Sequence, residues 1–388
     1  MTEQVVVLGS GYAGAGAIKS LEDELDGDAD ITWISDVDYH LVLHESHRCI
    51  RDPSIQEKVR IPIGVIKSDA TTFRQGVVAS VDTDDRVVHL EGGGEVSYDY
   101  LMVGVGSRTA FFGIEGLEEH AHTLKGLDDA LGIHEDVKQA AREATRTDPA
   151  EVVIGGAGLS GIQTAGEVAE YRDDNDAPIS TTLVEGLDEV FPGNADSIQR
   201  ALRKRLEERD VNIMTGEFIG KIDEDTVYIG EDTELEYDVL VWTGGITGQD
   251  AVRDIDVDKD ERNYRLKAKR TFQTNDERVF AIGDAALIDQ DGDNPAPPTA
   301  QAAWQAAEVV GENIIRAIRN EPLKRWSYED KGTVVSVGEA AVAHDVYVVP
   351  FKDTFGGLPA RTLKKAIAAR WIRDIAGTSR AAAAWPDM

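Results

Sequence analysis

Cysteine is nearly absent from this chain of 388 residues, in which Cys49 is the only example. An intrachain disulfide is therefore excluded, and a cytosolic setting is expected. Long apolar runs are absent as well, because no stretch of roughly 18 apolar residues occurs that would span a membrane. The first strand-like run begins at residue 5, so we expect no signal peptide.

Basic residues are scarce relative to acidic ones. The 40 lysines and arginines face 72 aspartates and glutamates, which gives a net charge of -32, and only 15 of the basic residues are lysines. Such a surface repels nucleic acid, so no nucleic-acid partner is expected. An acidic, lysine-poor composition is typical of proteins that stay hydrated in concentrated salt and predicts a haloarchaeal source. The length suffices for two or three domains with sizeable cores.

The chain begins with a strand that runs directly into a glycine-rich turn. Val5–Leu8 is an apolar, β-branched run typical of a buried parallel strand. The turn that follows contains Gly9, Gly11, Tyr12, Ala13 and Gly14, and residues 15–25 are expected to form a helix. In this motif one glycine forms the tight turn, one lets the backbone approach a pyrophosphate, and one lets the helix pack on the strand. The helix N-terminus attracts the phosphates.

A second copy of the motif lies near the middle of the chain. The strand-like run 151–154 leads into Gly156, Gly158 and Gly161, and a helix is expected over 162–171. Two dinucleotide sites in one chain indicate electron transfer between two nucleotide cofactors. The alternative is a pair of glycine-rich turns in an unrelated α/β protein.

An acidic residue at the end of the second strand of such a unit usually binds the ribose hydroxyls. In the first unit the predicted strand is 31–34 and Asp36 is the candidate, with Ser35 as the alternative for the register position that is usually acidic. In the second unit the predicted strand is 181–184 and Glu185 is the candidate. A carboxylate there repels a 2′-phosphate, which favours an NAD-type over an NADP-type nucleotide.

In each unit a later predicted strand ends in another glycine turn. Residues 98–103 lead to Gly106, and residues 237–242 lead to Gly245. The glycines of the two copies are spaced similarly, which indicates an internal duplication. We therefore predict an α/β fold with two Rossmann-like, three-layer ββα dinucleotide-binding domains and a C-terminal region that carries an amphipathic helix.

Several histidines cluster ahead of the second half of the first unit. His40, His44 and His47 lie close in sequence to Cys49, but their spacing matches no familiar zinc pattern. We therefore predict no metal site, and we expect these residues to line a cofactor pocket or form a solvated turn.

Two later segments carry polar residues at the ends of apolar elements. Gly283 and Asp284 stand at the tip of a strand, and Ala300 opens a helix that contains Gln301 and Gln305. Glutamine donates and accepts hydrogen bonds without bringing charge into an apolar pocket. The alternative for this segment is an ordinary amphipathic helix.

Together these motifs resemble the two-dinucleotide-binding flavoprotein superfamily, and more closely its type II NADH:quinone oxidoreductases. Residues 111–116 are similar to the loop that leads out of the family's first domain, and 300–305 resemble its A-Q-x-A-x-Q motif at the flavin ring and quinone pocket. The resemblance implies that the first glycine turn binds FAD, the second binds NADH, and Gly283 and Asp284 hold the ribityl and phosphate region.

The resemblance also implies a division of the chain. Residues 1–115 and 247–330 are expected to form a discontinuous FAD-binding domain, 116–246 an NADH-binding domain, and 331–388 a membrane-association or dimerisation region. Gln163, Gln301 and Gln305 are the expected positioning residues of the reaction.

The chain departs from the family's pattern at two places. Gln163 stands where the family usually has a glutamate, so this position offers hydrogen bonding but no titratable group. Sulfide:quinone and disulfide oxidoreductases need a pair of reactive cysteines, which a chain with Cys49 alone does not have.

The predicted C-terminal helix over 358–376 is basic inside an acidic protein. Leu363, Ile367, Trp371 and Ile375 recur at i+4 spacing and predict a continuous apolar stripe. A basic amphipathic helix with tryptophan is typical of a peripheral membrane anchor, here on the cytoplasmic face. The alternatives are a stripe packed on its own domain and the seam of a homodimer.

Three functions remain open from the sequence. The first is a peripheral NADH:quinone oxidoreductase. The second is an NADH-dependent reductase of a soluble electron carrier, which gains support if the C-terminal helix is buried. The third is a flavoprotein with mainly a binding or assembly role.

Overall fold

The computed structural model describes residues 2–25, 27, 29–292, 294–346 and 353–387. The predicted fold class is confirmed, since the chain forms parallel sheets flanked by helices on the Rossmann plan, followed by C-terminal helices. Residues 347–352, which fall in the predicted C-terminal region, lie outside the described residues.

The first quarter of the chain forms most of the first unit. Its strands are β1 (Glu3–Leu8), β2 (Ala29–Ser35), β3 (Tyr39–Leu41), β4 (Arg60–Pro62), β5 (Thr71–Gln75), β6 (Val78–Asp82), β7 (Val87–Leu90), β8 (Gly94–Ser97), β9 (Tyr100–Val103) and β10 (Ser107–Thr109). Its helices are α1 (Tyr12–Glu24), α2 (Leu43–Ser46), α3 (Gln56–Val59) and α4 (Ile63–Ile66), with 3₁₀ turns at His47–Ile50 and Pro53–Ile55.

The second unit repeats this order. Its helices are α5 (Leu117–His120), α6 (Leu127–Glu143), α7 (Leu159–Asn175) and α8 (Asp196–Glu207). Its strands are β11 (Ala150–Gly155), β12 (Ile179–Glu185), β13 (Val211–Thr215), β14 (Ile219–Ile222), β15 (Thr226–Ile229), β16 (Thr233–Glu236), β17 (Val239–Trp242) and β18 (Ile246–Gly248).

The remaining elements return to the first unit and then form the C-terminal region. The helices are α9 (Asp250–Arg253), α10 (Ala300–Ile318), α11 (Leu358–Ala376) and α12 (Thr378–Ala384), with 3₁₀ turns at Gly283–Ala285 and Trp385–Asp387. The strands are β19 (Leu266–Ala268), β20 (Val279–Ala281), β21 (Ala286–Ile288), β22 (Thr333–Val337), β23 (Ala340–His344) and β24 (Thr354–Gly356).

Two parallel sheets form the cores of the two units. The first has the strand order β20-β9-β1-β2-β5, so β20 from late in the chain completes the sheet that β1 begins. The second has the order β13-β12-β11-β17. Each unit also carries a three-stranded antiparallel meander, β6-β7-β8 in the first and β14-β15-β16 in the second. The meander predicted over residues 75–90 is thus present, extended by β8.

The helices that follow the glycine turns are longer than the sequence predicts. The predicted starts at residues 15 and 162 are each three residues late, because α1 begins at Tyr12 and α7 at Leu159. In both cases the second glycine of the motif is the N-cap residue and the chain enters the helix immediately after it. The glycine turn and the helix N-terminus are therefore one continuous structure.

The C-terminal region packs on both units. The turn between β22 and β23 lies against α7. The approach is so close that a Cβ atom added to Gly166 would lie 2.4 Å from the backbone nitrogen of Gly338. Helix α11 lies against α1, where a Cβ on Gly16 would be 3.4 Å from the Trp371 ring and 2.6 Å from Ala307 of α10. Small residues thus allow the close approach of three helices at this point.

Much of the predicted apolar stripe of α11 packs on the protein, as in the alternative of a stripe packed on its own domain. Trp371 and Ile375 are 1% and 4% exposed, and Leu363 and Ile367 are half-buried. Trp371 and Ile375 are therefore packed inside the chain, while the other half of the stripe keeps partial exposure. Among the described helices, none is long and apolar enough to cross a membrane.

Candidate functional site

The first glycine turn has the geometry that a pyrophosphate cradle requires. Gly9 adopts a φ of 94°, which favours glycine. A Cβ on Gly14 would lie 1.8 Å from the Gly9 carbonyl oxygen, so only glycine lets α1 approach the turn. A Cβ on Gly11 would meet nothing within 4 Å, so the backbone there borders open space. No acidic residue stands in the first turn of α1, and its N-terminal N–H groups face no side-chain cap.

The second glycine turn repeats this geometry. Gly156 has a φ of 92°. A Cβ on Gly161 would lie 1.8 Å from the Gly156 carbonyl oxygen, and a Cβ on Gly158 would meet nothing within 4 Å. Helix α7 also begins without a side-chain cap or an acidic residue in its first turn. The structure therefore contains two equivalent cradles, each with one glycine that borders open space.

Strand register identifies the equivalent ribose positions. The Gly9 amide donates to the Ile34 carbonyl, and the Gly156 amide donates to the Val184 carbonyl, both at 2.8 Å. Ser35 is therefore the counterpart of Glu185 in strand register, and Asp36, the residue predicted from the sequence, is the exposed residue that follows it.

The two counterparts contact their turns differently. Glu185 accepts from the amides of Ala157 at 2.8 Å and Leu187 at 3.0 Å. Ser35 is buried and donates to the Ser10 hydroxyl at 2.9 Å. Only the second site therefore presents a carboxylate at this register position.

Glu185 is flanked by exposed apolar side chains that the sequence analysis did not select. Leu187 is 50% exposed and Phe218 is 67% exposed. The Phe218 ring lies over Gly186, where a Cβ would be 2.3 Å from the ring. Exposed apolar side chains of this kind offer a surface on which a flat aromatic ring can pack. The sequence feature that could have indicated this ring contact is Gly186, the glycine that directly follows Glu185.

Asp284 lies beside the first glycine turn. A Cβ on Gly283 would be 3.1 Å from Ala13 Cβ, so the two turns are in contact. The Asp284 carboxylate accepts from the Ser107 hydroxyl at 3.2 Å, next to the closing glycine Gly106. The structure therefore brings the predicted residues of the first site together from three separate parts of the chain.

Tyr12 contributes its backbone rather than its side chain to the first site. The Tyr12 ring is 6% exposed and packs on His40 and Trp371, with centroid separations of 5.2 Å and 4.8 Å. Its hydroxyl is hydrogen-bonded to His44. Two of the three histidines predicted to line a cofactor pocket or a solvated turn, His40 and His44, are therefore packed in an aromatic cluster.

A hydrogen-bond chain connects the C-terminal helix to the first glycine turn. The Trp371 indole N–H donates to His40 Nε2 at 2.8 Å. The opposite ring nitrogen, His40 Nδ1, therefore carries the proton and donates to the Ser10 carbonyl at 2.7 Å. Ser10 lies inside the glycine turn, so α11 fixes the position of the turn's backbone.

Acid is expected to destabilise the protein through these histidines. Burial lowers the pKa of His40 and of His44 to about 4, from the ordinary value of 6.5. Because an unfolded histidine binds its proton near pH 6.5, the contribution of these two histidines to stability is constant above that pH and falls as the pH drops from 6.5 to 4. The loss approaches roughly 3 kcal/mol per histidine.

Thermal and urea unfolding at fixed salt, repeated from pH 8 to pH 4.5, measures how steeply the free energy of unfolding depends on pH. His40→Gln should reduce it, and the control His89→Gln, at a half-exposed strand position, should preserve it. A stability that does not change between pH 7 and pH 5 would contradict the assignment of neutral, buried histidines.

The three glutamines predicted as positioning residues lie on two different helices, one on α7 and two on α10. The Gln163 amide donates to the Ser336 hydroxyl at 3.2 Å. Gln301 donates to the Gly332 carbonyl at 3.1 Å and accepts from the Lys331 amide at 2.7 Å. Gln305 binds both backbone groups of Glu329, at 2.8 Å and 3.1 Å. The side chains of Gln301 and Gln305 therefore hold the segment 329–332 against α10, a structural role that the sequence analysis did not predict.

A buried ionic cluster surrounds the contact of Gln163. Ser336 accepts from the Lys364 ammonium at 2.6 Å and contacts His47 Nε2 at 3.0 Å. Glu167, one helical turn after Gln163, lies 3.3 Å from Arg51 and 3.8 Å from His47. Burial raises the pKa of the Glu167 carboxyl to about 7. This cluster joins the 3₁₀ turn of the first unit, α7 of the second, and the C-terminal region.

Cys49 is packed inside the protein. It is fully buried, and burial raises the pKa of its thiol to about 12. A buried thiol with this pKa is a poor nucleophile. Within the described ranges, no group of three metal-ligating side chains is arranged to hold a metal ion.

The fold and its paired cradles define a two-dinucleotide oxidoreductase. Residues 3–307 match the family described as pyridine nucleotide-disulphide oxidoreductase, and the chain belongs to this family. The superfamily resemblance stated from the sequence is thereby confirmed.

One known sequence and two solved structures resemble the chain over nearly its whole length. The type II NADH:quinone oxidoreductase of Staphylococcus aureus strain NCTC 8325 / PS 47 is 28% identical over 395 residues, covering 97% of this chain and 96% of the relative. The structure of NDH2 from Plasmodium falciparum in complex with NADH has a TM-score of 0.83 at 17% identity, covering 100% and 98%. The sulfide:quinone oxidoreductase of Aquifex aeolicus has a TM-score of 0.79 at 21% identity, covering 97% and 93%. At these identities the two structures show a shared fold.

Proposed function

We propose that this protein is an FAD-dependent oxidoreductase that takes hydride from NADH and passes the electrons to a membrane quinone without pumping protons. The observation that carries the proposal is the pair of equivalent cradles at Gly11 and Gly158, both open on the side where a pyrophosphate lies. The full-length similarity to type II NADH:quinone oxidoreductases supports the choice of NADH and quinone.

The residues of the first cradle fit FAD. Backbone N–H groups at the start of α1 face open space at Gly11 for a pyrophosphate, and Asp284 offers a carboxylate for ribityl hydroxyls. Ser35, which carries no charge, replaces the usual acid at the ribose. We assign residues 1–115 and 247–330 to this FAD-binding domain.

The residues of the second cradle fit NADH, and we assign residues 116–246 to its domain. Glu185 is held by two amides of the turn in the position that accepts ribose hydroxyls. When bound, FAD accepts hydride from NADH and returns two electrons to an acceptor. The chain positions the two nucleotides, with Gly106 and Gly245 at the closing turns between them.

The nucleotide preference depends on Glu185. We expect Glu185→Ala to narrow the preference for NADH over NADPH at least tenfold, since the variant loses a hydroxyl acceptor and a charge that repels the 2′-phosphate. Steady-state kcat/KM with each nucleotide measures the ratio. The matched control Glu189→Ala removes a carboxylate from the loop that follows Glu185, where it pairs with Arg203 of α8. An unchanged ratio in Glu185→Ala would remove this residue from the site.

A membrane surface is the proposed location, and the exposed side of α11 and α12 is the proposed contact. Leu358 is 76% exposed and Trp385 is 42% exposed. The Lys365 ammonium donates to the Pro386 carbonyl at 3.2 Å, which brings the end of α12 beside α11. In concentrated salt the Debye length is only about 3 Å, so these apolar side chains rather than the basic ones must hold the protein.

Vesicle flotation in molar KCl tests this contact. The double variant Leu358→Ser with Trp385→Ser should float at least tenfold less well, because each lost apolar side chain is worth up to about 1.5–3 kcal/mol when buried. The control Tyr264→Ser, on a distant exposed surface, should float like wild type. Equal flotation of all three proteins would contradict membrane contact through this surface.

A soluble electron carrier is the second candidate acceptor. The observation that favours it is the buried stripe of α11, because Trp371 and Ile375 pack inside the chain instead of meeting a membrane. A protein that reduces a carrier in solution and does not float with vesicles would have this function. The net charge of -32 supports the further proposal that the enzyme works in concentrated salt.

A further inference from the structure

Phe112 is an exposed aromatic residue in a backbone conformation that bulky L residues rarely adopt. Its side chain is 71% exposed, and its φ is 54°. A left-handed φ costs free energy at such a residue, and the burial of the ring does not offset that cost. Residues held in this way are concentrated at binding and catalytic sites. Phe112 belongs to the loop 111–116, and neither the glycine cradles nor the ribose positions involve it.

The residues around Phe112 fix its place between the two units. Phe111 packs against the hydrophobic core of the second unit, and the Ile114 amide donates to the Phe111 carbonyl at 3.0 Å. On the other side of Phe112, the Ala110 carbonyl accepts from the Trp242 indole N–H at 2.9 Å. The exposed ring therefore belongs to a fixed turn and not to a free loop.

The far end of the Phe112 ring lies against the closing turn of the second unit. A Cβ on Gly245 would be 2.4 Å from Cζ and 2.9 Å from Cε2 of the ring, so only glycine allows this contact. The preceding residue, Gly244, lies against the second cradle, because a Cβ on Gly156 would be 3.0 Å from the Gly244 backbone. Two adjacent glycines thus connect Phe112 to the cradle proposed for NADH.

The strand order of the second sheet indicates which half of the dinucleotide meets the ring. In the order β13-β12-β11-β17, the ribose acid Glu185 at the end of β12 and the turn after β17 lie on opposite sides of β11. The cradle at Gly158 follows β11 and lies between them. A dinucleotide with its adenosine ribose at Glu185 and its pyrophosphate at Gly158 therefore extends its nicotinamide half toward Gly245.

We propose that the nicotinamide ring of NADH packs on the exposed part of the Phe112 ring, and that this contact orients the nicotinamide for hydride transfer. The inference rests on the proposed function of the second cradle. Nicotinamide is a flat ring, and aromatic rings pack together by offset stacking or edge to face. Phe112 takes up no proton, electron or hydride. It orients the hydride donor, and a misplaced donor reacts more slowly.

Two ligands separate the halves of the nucleotide in the test. NADH carries the nicotinamide, and ADP-ribose is the same molecule without it. Phe112→Gly removes the ring and accepts the left-handed φ. We expect flavin reduction by saturating NADH to slow about tenfold in this variant, while the inhibition constant of ADP-ribose changes by less than about twofold. Phe112→Tyr keeps an aromatic ring and should restore most of the rate.

The matched control is Tyr264→Gly. Tyr264 also combines a positive φ, 55°, with an exposed ring, which packs on the Arg253 guanidinium, and its removal should leave both quantities unchanged. Flavin content is measured on every protein. If Phe112→Gly does not fold, Phe112→Asn carries the test, since asparagine also adopts this conformation.

The outcomes distinguish this inference from the proposed function. A wild-type reduction rate in a flavin-loaded variant that lacks the Phe112 ring overturns the inference. An equal loss of affinity for ADP-ribose also overturns it, because the ring would then act on the other half of the nucleotide. Wild-type protein that binds no ADP-ribose, or whose flavin NADH does not reduce, overturns the proposed function and this inference with it.

Discussion

Replacing Trp371 with alanine is expected to lower the free energy of unfolding by about 3–5 kcal/mol and to release the flavin. The cost is that of truncating a fully buried tryptophan. Trp371 is 1% exposed and packs between Tyr12 and Trp304, with both centroid separations at 4.8 Å. Its loss opens a cavity behind the glycine turn and leaves His40 Nε2 without its donor.

The loss of flavin follows from the hydrogen-bond chain. Without Trp371, His40 is free to turn away from the Ser10 carbonyl, and the backbone that cradles the pyrophosphate loses its fixed position. Flavin per chain after gel filtration and the unfolding midpoint with added FAD measure the two effects. Trp385→Ala makes the same change at a 42% exposed position and should alter neither. A Trp371→Ala protein with full flavin content and wild-type stability would contradict this link.

Alanine at Gly158 is expected to abolish NADH use without disturbing the fold. The new methyl group meets no atom within 4 Å, and Gly158 has a φ of -75°, which any residue adopts. The methyl group stands instead in the open space proposed for the NADH pyrophosphate. A loss of close backbone contact worth roughly 3 kcal/mol corresponds to about 100-fold weaker binding.

Flavin bleaching at subsaturating NADH measures this effect, with circular dichroism and flavin content as checks of folding. The matched variant Gly161→Ala places its methyl group 1.8 Å from the Gly156 carbonyl oxygen and should disrupt the second unit itself. Gly11→Ala, in the first cradle, should fold but bind FAD weakly. Wild-type bleaching by Gly158→Ala would mean that NADH does not bind in this cradle.

Features determined by local sequence were predictable. The strand–turn–helix at Val5–Leu8 and its second copy need only residues that are neighbours in sequence, because each glycine has a fixed place in the turn. The C-terminal helix was predicted with its observed bounds, Leu358–Ala376. What the periodicity of that helix did not reveal is its partner. An apolar stripe packs equally well on a lipid surface or on α1, and only the tertiary structure places Trp371 against Tyr12.

Contacts between residues far apart in the sequence could not be predicted, because local patterns do not reveal which elements pack together. The contacts of the Gln301 amide with the backbone at 331 and 332 could not be predicted, because the sequence does not reveal the path of that segment. Asp36 was preferred over Ser35 because a serine carries no signal of ribose binding. The backbone hydrogen bonds of the two turns show that Ser35, and not Asp36, is the register counterpart of Glu185. Phe218 lies outside every motif and became visible only beside Glu185.

The cysteine content separates this chain from some of its structural neighbours. It shares its fold with the sulfide:quinone oxidoreductase of Aquifex aeolicus at a TM-score of 0.79. Its one thiol is fully buried, however, and no second cysteine exists to form a redox pair. Chemistry that passes through a protein disulfide is therefore excluded. Gln163, which stands where the family usually has a glutamate, contacts a buried ionic cluster through the Ser336 hydroxyl.

Anaerobic stopped-flow spectroscopy in molar KCl tests the central claim most directly. The purified protein is mixed with NADH while the flavin absorbance is followed, and the reduced protein is then mixed with a short-chain quinone. The proposed function predicts rapid bleaching by NADH and rapid return of the absorbance with quinone. Bleaching that quinone does not reverse would contradict the quinone assignment and favour a soluble carrier. Flavin that NADH does not bleach would contradict the role of the second cradle.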